Sequence, residues 1–244
     1  MNYQFKKTIV IALGGSIVFP NKIDWKFLAR FRKFILPRVR NRKIVLVVGG
    51  GRLSRVYQEA AAKVVRLTDD DKDWLGIHAT RSNAHLLRTI FRDVADPVVI
   101  DQRFRIKDLK YPVTIASGWR PGWSTDYVAA QIAVDFGVKE IIVAGKPGYV
   151  YPLRSGIPLR SLVDSDGVSD KDLNKKSPFL ELSWKEYLKL IPSKWKPGLH
   201  APVDPVAAQL ATKKKIAAII VNGKNLKNLG ELLRGNNFKG TIIH

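Results

Sequence analysis

The chain has 244 residues, of which 45% are hydrophobic and 26% are charged, a balance typical of a globular protein with a large core. It contains no cysteine, which excludes disulfides, thiolate metal sites and cysteine nucleophiles. Lysine and arginine number 42 against 21 acidic residues, but no recognisable nucleic-acid-binding motif accompanies the net charge of +21. We therefore interpret most of this charge as a solvated surface and predict no specific nucleic-acid partner.

The first apolar run follows Lys6 and Lys7 and loosely imitates a secretory signal. Gly14 and Gly15 interrupt it and no small-residue cleavage site follows, which favours a buried strand that ends in a turn. No stretch reaches the ~18 apolar residues that a membrane span needs. We therefore expect a soluble, cytoplasmic protein without a membrane partner.

Strand and helix patterns then alternate along the whole chain. Short β-branched runs, typical of strands buried on both faces of a parallel sheet, are Thr8–Leu13, Lys43–Val48, 96–100, 112–116, 140–144, 216–221 and Thr241–Ile243. Segments with helical spacing of apolar residues are 24–37, 52–65, 73–94, 124–136, 204–213 and Leu226–Arg234. This alternation predicts an α/β fold, a three-layer α/β/α sandwich with a mostly parallel central sheet.

Local signals mark several boundaries. Asp204 before Pro205 predicts a capped helix start, and Ser183 with Glu186 predicts a capping box. Residues 147–178 are rich in glycine, proline, serine and charge, which predicts a long excursion from the core. No linker divides the chain, so we treat 1–244 as a single domain.

Three turns rich in glycine or small residues follow predicted strands, where α/β proteins gather ligands. They contain Gly14-Gly15-Ser16, Gly49-Gly50-Gly51 and the segment 117–126. Glycines allow close approach of a ligand, and amides at the start of a helix attract anions. The chain has neither the P-loop motif nor the spaced glycines of a dinucleotide-binding turn.

The motifs together resemble the UMP kinases of the amino acid kinase superfamily, in their archaeal form. The similar segments are Gly14-Gly15-Ser16, the GGGRLSRVY run at 49–57, the DWLGIHATRSNA run at 73–84, the PGWSTD run at 121–126 and the DPVAA run at 204–208. They occur in the family's order over nearly the whole chain. The resemblance implies an acceptor lobe at 1–137, a nucleotide-donor lobe at 138–244, and a hexamer.

The resemblance also implies roles for individual residues. Gly49, Gly50 and Arg55 would hold the UMP phosphate, Asp73 would accept hydrogen bonds from the ribose hydroxyls, and Thr125 would contact the uridine. Gly14, Gly15 and Ser16 would hold the transferring phosphoryl group, with Gly15 in the catalytic turn and Asp126 organising it. Lys146 and Tyr151 would bind ATP, Lys146 as the catalytic cation, and Mg²⁺ would arrive with ATP. We predict no protein metal site, since the four histidines lack metal-ligand spacing.

Two positions depart from the family pattern. Ala12 stands where bacterial members carry a lysine, although the archaeal form often lacks it too. Gly148 stands in the donor segment 146–151 where the family usually has an aspartate. An alternative is therefore a nucleotide- or oxoanion-binding protein of the same fold, similar to the molybdenum storage proteins. A second alternative is a sister kinase for another small phosphorylated acceptor.

Overall fold

The structure, a computed structural model, describes residues 1, 3–152, 177–197 and 201–244. Within these residues seven strands form one sheet in the order β3-β2-β1-β4-β6-β7-β5. The strands are β1 (Thr8–Leu13), β2 (Lys43–Val48), β3 (Val113–Ala116), β4 (Glu140–Gly145), β5 (Glu181–Leu182), β6 (Ala217–Asn222) and β7 (Thr241–Ile243). All neighbouring strands pair in parallel except β6 and β7.

Helices cover both faces of this sheet. They are α1 (Gly15–Val18), α2 (Trp25–Ile35), α3 (Gly51–Ala62), α4 (Asp69–Ile90), α5 (Thr125–Asp135), α6 (Trp184–Leu190), α7 (Pro205–Lys214) and α8 (Leu226–Arg234). Short 3₁₀ turns occupy Leu36–Arg40 and Arg103–Arg105.

Side chains of β1 alternate between two separate cores. Ile9, Ile11 and Leu13 pack with α2, α4 and α8, whereas Val10 and Ala12 pack with α5, α6 and α7. This alternation is the period-2 pattern of a strand that is buried on both faces. The predicted three-layer α/β/α fold is therefore confirmed.

One strand prediction was wrong, and one strand of the sheet was not predicted. In place of the strand predicted at 96–100, the chain forms only isolated bridges, at Ala95 and Ile100. Pro97 has no amide to donate to a ladder, and the Asp96 side chain accepts a hydrogen bond from the amide of Val98, which bends the chain. The strand β5 was not predicted, because two residues are too short to show an alternating pattern.

The predicted helix caps are confirmed. Asp204 accepts hydrogen bonds from the amides of Val206 and Ala207, and Ser183 forms a complete capping box with Glu186. The start of α4 was predicted four residues late, at Asp73. Its true N-cap is Thr68, which forms a capping box with Asp71.

The excursion predicted at 147–178 lies mostly outside the described residues. Its two ends are held together by the buried hydroxyl of Thr241, which accepts from the Val150 amide at 2.9 Å and donates to the Phe179 carbonyl at 2.5 Å. The segment therefore leaves and rejoins the sheet beside β7.

Candidate functional site

A cleft of about 800 Å³ opens at the carboxyl ends of β1, β2, β3, β4 and β6. Its wall includes nearly every residue that the sequence predicted for the site, namely Gly14, Gly15, Ser16, Gly50, Arg55, Asp73, Thr125, Asp126, Lys146 and Tyr151. The fold thus brings together side chains from both predicted lobes, because parallel strands end at one edge of the sheet. Gly49 does not line the cleft and is buried behind it.

The first two glycine turns pack directly against each other. A Cβ atom on Gly15 would lie 2.0 Å from the amide nitrogen of Gly51, and one on Gly49 would lie 2.7 Å from the nitrogen of Gly15. Gly51 also has a φ of +65°, which L side chains rarely adopt. These glycines are required by the contact between two backbones, whether or not a ligand is bound.

Backbone hydrogen bonds decide which amides of these turns face the cleft. The Gly14 amide donates to the Ala144 carbonyl at 2.9 Å, and the Gly49 amide donates to the Leu13 carbonyl at 3.0 Å. The predicted phosphate contacts of these two residues therefore cannot use their N–H groups. Gly15 and Ser16 occupy the first turn of α1, where helical amides lack partners within the helix and are suited to anions.

Asn83 supports the second turn from α4. Its side-chain amide donates to the carbonyls of Gly49 and Gly50 at 2.8 and 3.1 Å, and the residue is almost completely buried. Arg55 follows in the first turns of α3 and lines the cleft. Within the described part of the chain its guanidinium makes no hydrogen bond, whereas the nearby Arg52 is paired with Glu59.

Asp73, in α4, faces the same end of the cleft. One of its oxygens, Oδ2, accepts a hydrogen bond from the Gly122 amide at 2.7 Å and lies 3.4 Å from the indole nitrogen of Trp195. The first contact ties Asp73 to the third turn. The Oδ1 atom remains available to an incoming hydroxyl group as far as the described residues are concerned.

The third turn leads into α5 through Ser124, Thr125 and Asp126. Ser124 caps the helix by accepting from the Tyr127 amide, and its hydroxyl donates to Asp204 at the start of α7. Asp126 lines the cleft and is partly exposed, but protein atoms pack closely around its carboxyl group. Burial, and then the negative charge of Asp204, raise the pKa of Asp126 well above its usual range.

Asp204 and Tyr187 line the cleft close to Asp126. Burial raises the pKa of Asp204, and its bonds to Ser124 and the α7 amides oppose that shift. The Tyr187 hydroxyl both donates to the carbonyl and accepts from the amide of Val203, each at 2.7 Å. Burial raises the pKa of Tyr187 well above its usual value, and the two carboxylates add to the shift.

The predicted donor end of the cleft is formed by the segment after β4 and the end of β6. Lys146 lines it with an exposed side chain, so this end of the cleft is open to solvent. A Cβ atom on Gly148 would lie 3.2 Å from the Cβ of Asn222 and 3.3 Å from its backbone nitrogen. Because this loop packs closely on β6, a side chain at position 148, such as the aspartate usual in the family, would crowd Asn222.

Sequence reasoning missed several residues of the cleft wall, among them Trp195, Tyr187, Asn222, Asn225 and Lys239. Asp204 was recognised as a helix cap and as part of the DPVAA segment, but it was given no role in the cleft. The pairing of Asp204 with Ser124 joins positions 80 residues apart. A single sequence carries no signal of such a pairing, although a capping aspartate beside an apolar helix is a candidate for burial.

Neither a metal cluster nor a membrane helix is present in the described residues. These residues contain no group of three or more histidine, cysteine, aspartate or glutamate side chains that could hold a metal ion. Of the four histidines in the sequence, His200 lies outside the described residues. No described helix is both long and apolar enough to cross a bilayer.

Comparison with known proteins places the chain in a family. The sequence profile of the amino acid kinase family matches residues 7–104. The uridylate kinase of Thermococcus kodakarensis is 30% identical over 243 residues, covering 96% of this chain and 98% of that protein. The chain belongs to the uridylate kinases of the amino acid kinase family. The uridylate kinase of Thermococcus sibiricus is similar at 29% identity over 96% of this chain.

Solved structures of uridylate kinases have the same fold. The enzyme from Archaeoglobus fulgidus superimposes with a TM-score of 0.77 at 27% identity, covering 98% of this chain and 100% of that chain. The UMP kinase of Bacillus anthracis superimposes with a TM-score of 0.70 at 18% identity over 99% of this chain. The second similarity extends the fold to a bacterial relative.

Proposed function

We propose that this chain transfers the γ-phosphoryl group of MgATP to UMP and produces ADP and UDP. The observation that carries the proposal is the meeting, in one cleft, of Arg55 and Asp73 from the first half of the chain with Lys146 from the second. The turn containing Gly15 lines the same cleft. The names of the uridylate kinase relatives support UMP as the acceptor.

Phosphoryl transfer needs positioning and positive charge more than a protein nucleophile. An oxygen of the UMP phosphate attacks the γ-phosphorus, and the bond from that phosphorus to the bridging oxygen breaks, leaving its electron pair on ADP. Arg55 would hold the acceptor phosphate in a bidentate contact, and Asp73 would accept from the ribose hydroxyls. The first amides of α1 and the charge of Lys146 would stabilise the negative charge that develops between the two nucleotides.

Asp126 would assist phosphoryl transfer from a position beside the turn that contains Gly15. Its raised pKa favours the neutral carboxyl, which can donate a hydrogen bond to a phosphoryl oxygen, whereas an ionised carboxylate would repel it. Magnesium would enter as part of the MgATP substrate, held mainly by phosphate oxygens and water, as is usual for this ion.

The decisive experiment is a coupled assay of ADP formation with a panel of nucleoside monophosphates. We expect UMP to be phosphorylated in the presence of ATP and Mg²⁺, in preference to AMP and GMP. If another phosphorylated acceptor is preferred, the chain is a sister kinase. If ATP binds but no monophosphate is converted, the nucleotide-binding alternative replaces the kinase.

A further inference from the structure

Trp195 links the second half of the chain to the acceptor end of the cleft. Its indole nitrogen lies 3.4 Å from Oδ2 of Asp73, a residue 122 positions earlier in the chain. Both residues are half-buried and line the same cleft. Asp73 belongs to the acceptor helix α4, so this contact bridges the two predicted lobes.

Described residues before and after Trp195 are held in place by packing and hydrogen bonds. Ile191, just after α6, is buried, and Val203 is held through both its amide and its carbonyl by the Tyr187 hydroxyl. Between these anchors Trp195 and Pro197 form part of the cleft wall. Trp195 therefore borders the space in which a ligand would bind.

The chemistry of the contact suits replacement by a ligand. A distance of 3.4 Å is longer than the usual 2.7–3.2 Å of an N–H···O hydrogen bond, so the indole bond to Asp73 is weak. The Gly122 amide, at 2.7 Å, already fixes the carboxylate. The indole N–H can therefore turn to a ligand oxygen while its apolar face covers a planar base.

We propose that Trp195 is a substrate-binding residue that contacts the acceptor nucleoside. This inference rests on the proposed function, because it takes the Asp73 end of the cleft as the nucleoside site. Stacking of an aromatic ring on a base is tolerant of base identity, so Trp195 supplies affinity for a nucleoside as a class. The indole N–H adds a single hydrogen bond that a ring without nitrogen cannot make.

Equilibrium binding of UMP and of ATP to the full chain, measured separately by calorimetry, tests the inference. Trp195→Ala should raise the Kd for UMP about ten-fold and leave that for ATP within about two-fold, because base stacking contributes at this level. Trp195→Phe should weaken UMP binding less, since it keeps a ring and loses only the N–H donor. Trp25, which is 67% exposed at the start of α2, provides the control variant Trp25→Ala, which should bind both nucleotides as the wild type does.

The outcomes separate this inference from the kinase proposal. Unchanged UMP binding by a folded Trp195→Ala variant would overturn the role of Trp195 while leaving wild-type turnover intact. Equal weakening of UMP and ATP binding would also overturn it, since that result indicates a general effect on the cleft. If wild-type protein binds UMP without phosphorylating it, the kinase proposal fails and the variants still decide the role of Trp195. If the wild type does not bind UMP, both fail. Thermal unfolding of each variant confirms the fold, and Trp195→Phe remains informative if the alanine variant does not fold.

Discussion

Arg55 is the residue whose predicted role is tested most directly. Its guanidinium lines the cleft in the first turns of α3, close to the glycine turn that Asn83 holds in place. Arg55→Ala should raise the KM for UMP and leave ATP binding nearly unchanged, because a charged hydrogen bond contributes about 1.5–3 kcal/mol.

Steady-state kinetics with UMP varied, together with ATP binding, measure this effect. Arg66→Ala is a matched control, since Arg66 is exposed beyond the other end of α3. An unchanged KM for UMP in Arg55→Ala would show that this turn does not bind the acceptor phosphate.

Lys146 is the cation expected to act in the transition state, because Ala12 cannot supply a charge. Lys146→Met should lower kcat by roughly 10²–10³ with little change in the KM for UMP, as removal of one transition-state contact does. The Lys146 side chain is exposed, so this effect requires that bound nucleotides exclude water from the proposed donor end of the cleft.

Lys139 offers the control for this substitution. It is an exposed lysine that immediately precedes β4, at the end opposite Lys146. Lys139→Met should keep the wild-type kcat. A near-normal kcat in Lys146→Met would reject the proposed role and turn attention to Lys239, another lysine of the cleft wall.

At the scale of elements, the site depends on how the turns after β1 and β2 pack together. Gly15→Ala would place a Cβ atom 2.0 Å from the Gly51 nitrogen and 2.5 Å from the Gly49 carbonyl carbon, so backbone must move. We expect a loss of about 1–3 kcal/mol or more in the free energy of unfolding, the usual cost of overpacking. Chemical denaturation measures it.

Gly145→Ala is the matched control for the turn. The nearest atom to its added Cβ would be Cδ of Pro147 at 3.9 Å, an ordinary contact. The free energy of unfolding should change by less than about 1 kcal/mol, which is the intrinsic effect of glycine against alanine. Equal losses in the two variants would mean that the close approach of the turns is not what makes Gly15 necessary.

At the scale of the whole molecule, the buried acids of the cleft set a pH dependence of stability. The pKa of Asp126 is raised in the folded chain. The contribution of this group to the free energy of unfolding is therefore fully present below about pH 4 and is lost as the pH rises through the raised pKa. Asp126→Asn should therefore reduce the loss of thermal stability between pH 5 and about pH 8. Asp204 and Glu140, whose pKa values burial also raises, should leave a remaining slope.

Thermal unfolding at several pH values measures this slope. Acids with lowered pKa, such as Asp93 beside Arg32, act in the opposite direction and lose their contribution only as the pH falls through those lowered values. The exposed Asp70 provides the control variant Asp70→Asn, which should keep the wild-type slope. If Asp126→Asn leaves the pH dependence of thermal stability unchanged, the raised pKa of Asp126 is not a source of that dependence.

Assembly is a second property of the whole molecule. We predict a homo-oligomer, and the hexamer implied by the resemblance would have six times the chain mass of 27.4 kDa. Helix α3 has no fully buried residue, and it and the residues just after it expose Val56, Tyr57, Val64 and Val65, an apolar face that association would cover. Light scattering coupled to gel filtration measures the mass, and a monomer would contradict the prediction.

The sequence by itself determined the layered fold and most of the cleft, because both depend on local patterns. Buried β-branched runs predict β1, β2 and β7 with the bounds that the structure has, and the turns after parallel strands necessarily meet at one edge of the sheet. The resemblance to the UMP kinases placed Arg55, Asp73 and Lys146 in one site, and the structure brings all three to the cleft. The bounds of the two predicted lobes stay a prediction.

Only the tertiary structure decided which groups touch. The contact of Trp195 with Asp73 and the bond of Ser124 to Asp204 join residues 122 and 80 positions apart, and no periodicity or motif encodes such pairs. The same holds for Gly15. Its position in a glycine turn suggested a ligand site, but the structure shows that the backbone of the second turn leaves no room for a side chain there. Contacts of this kind arise from the packing of distant segments, which depends on the whole fold and not on the residues beside them.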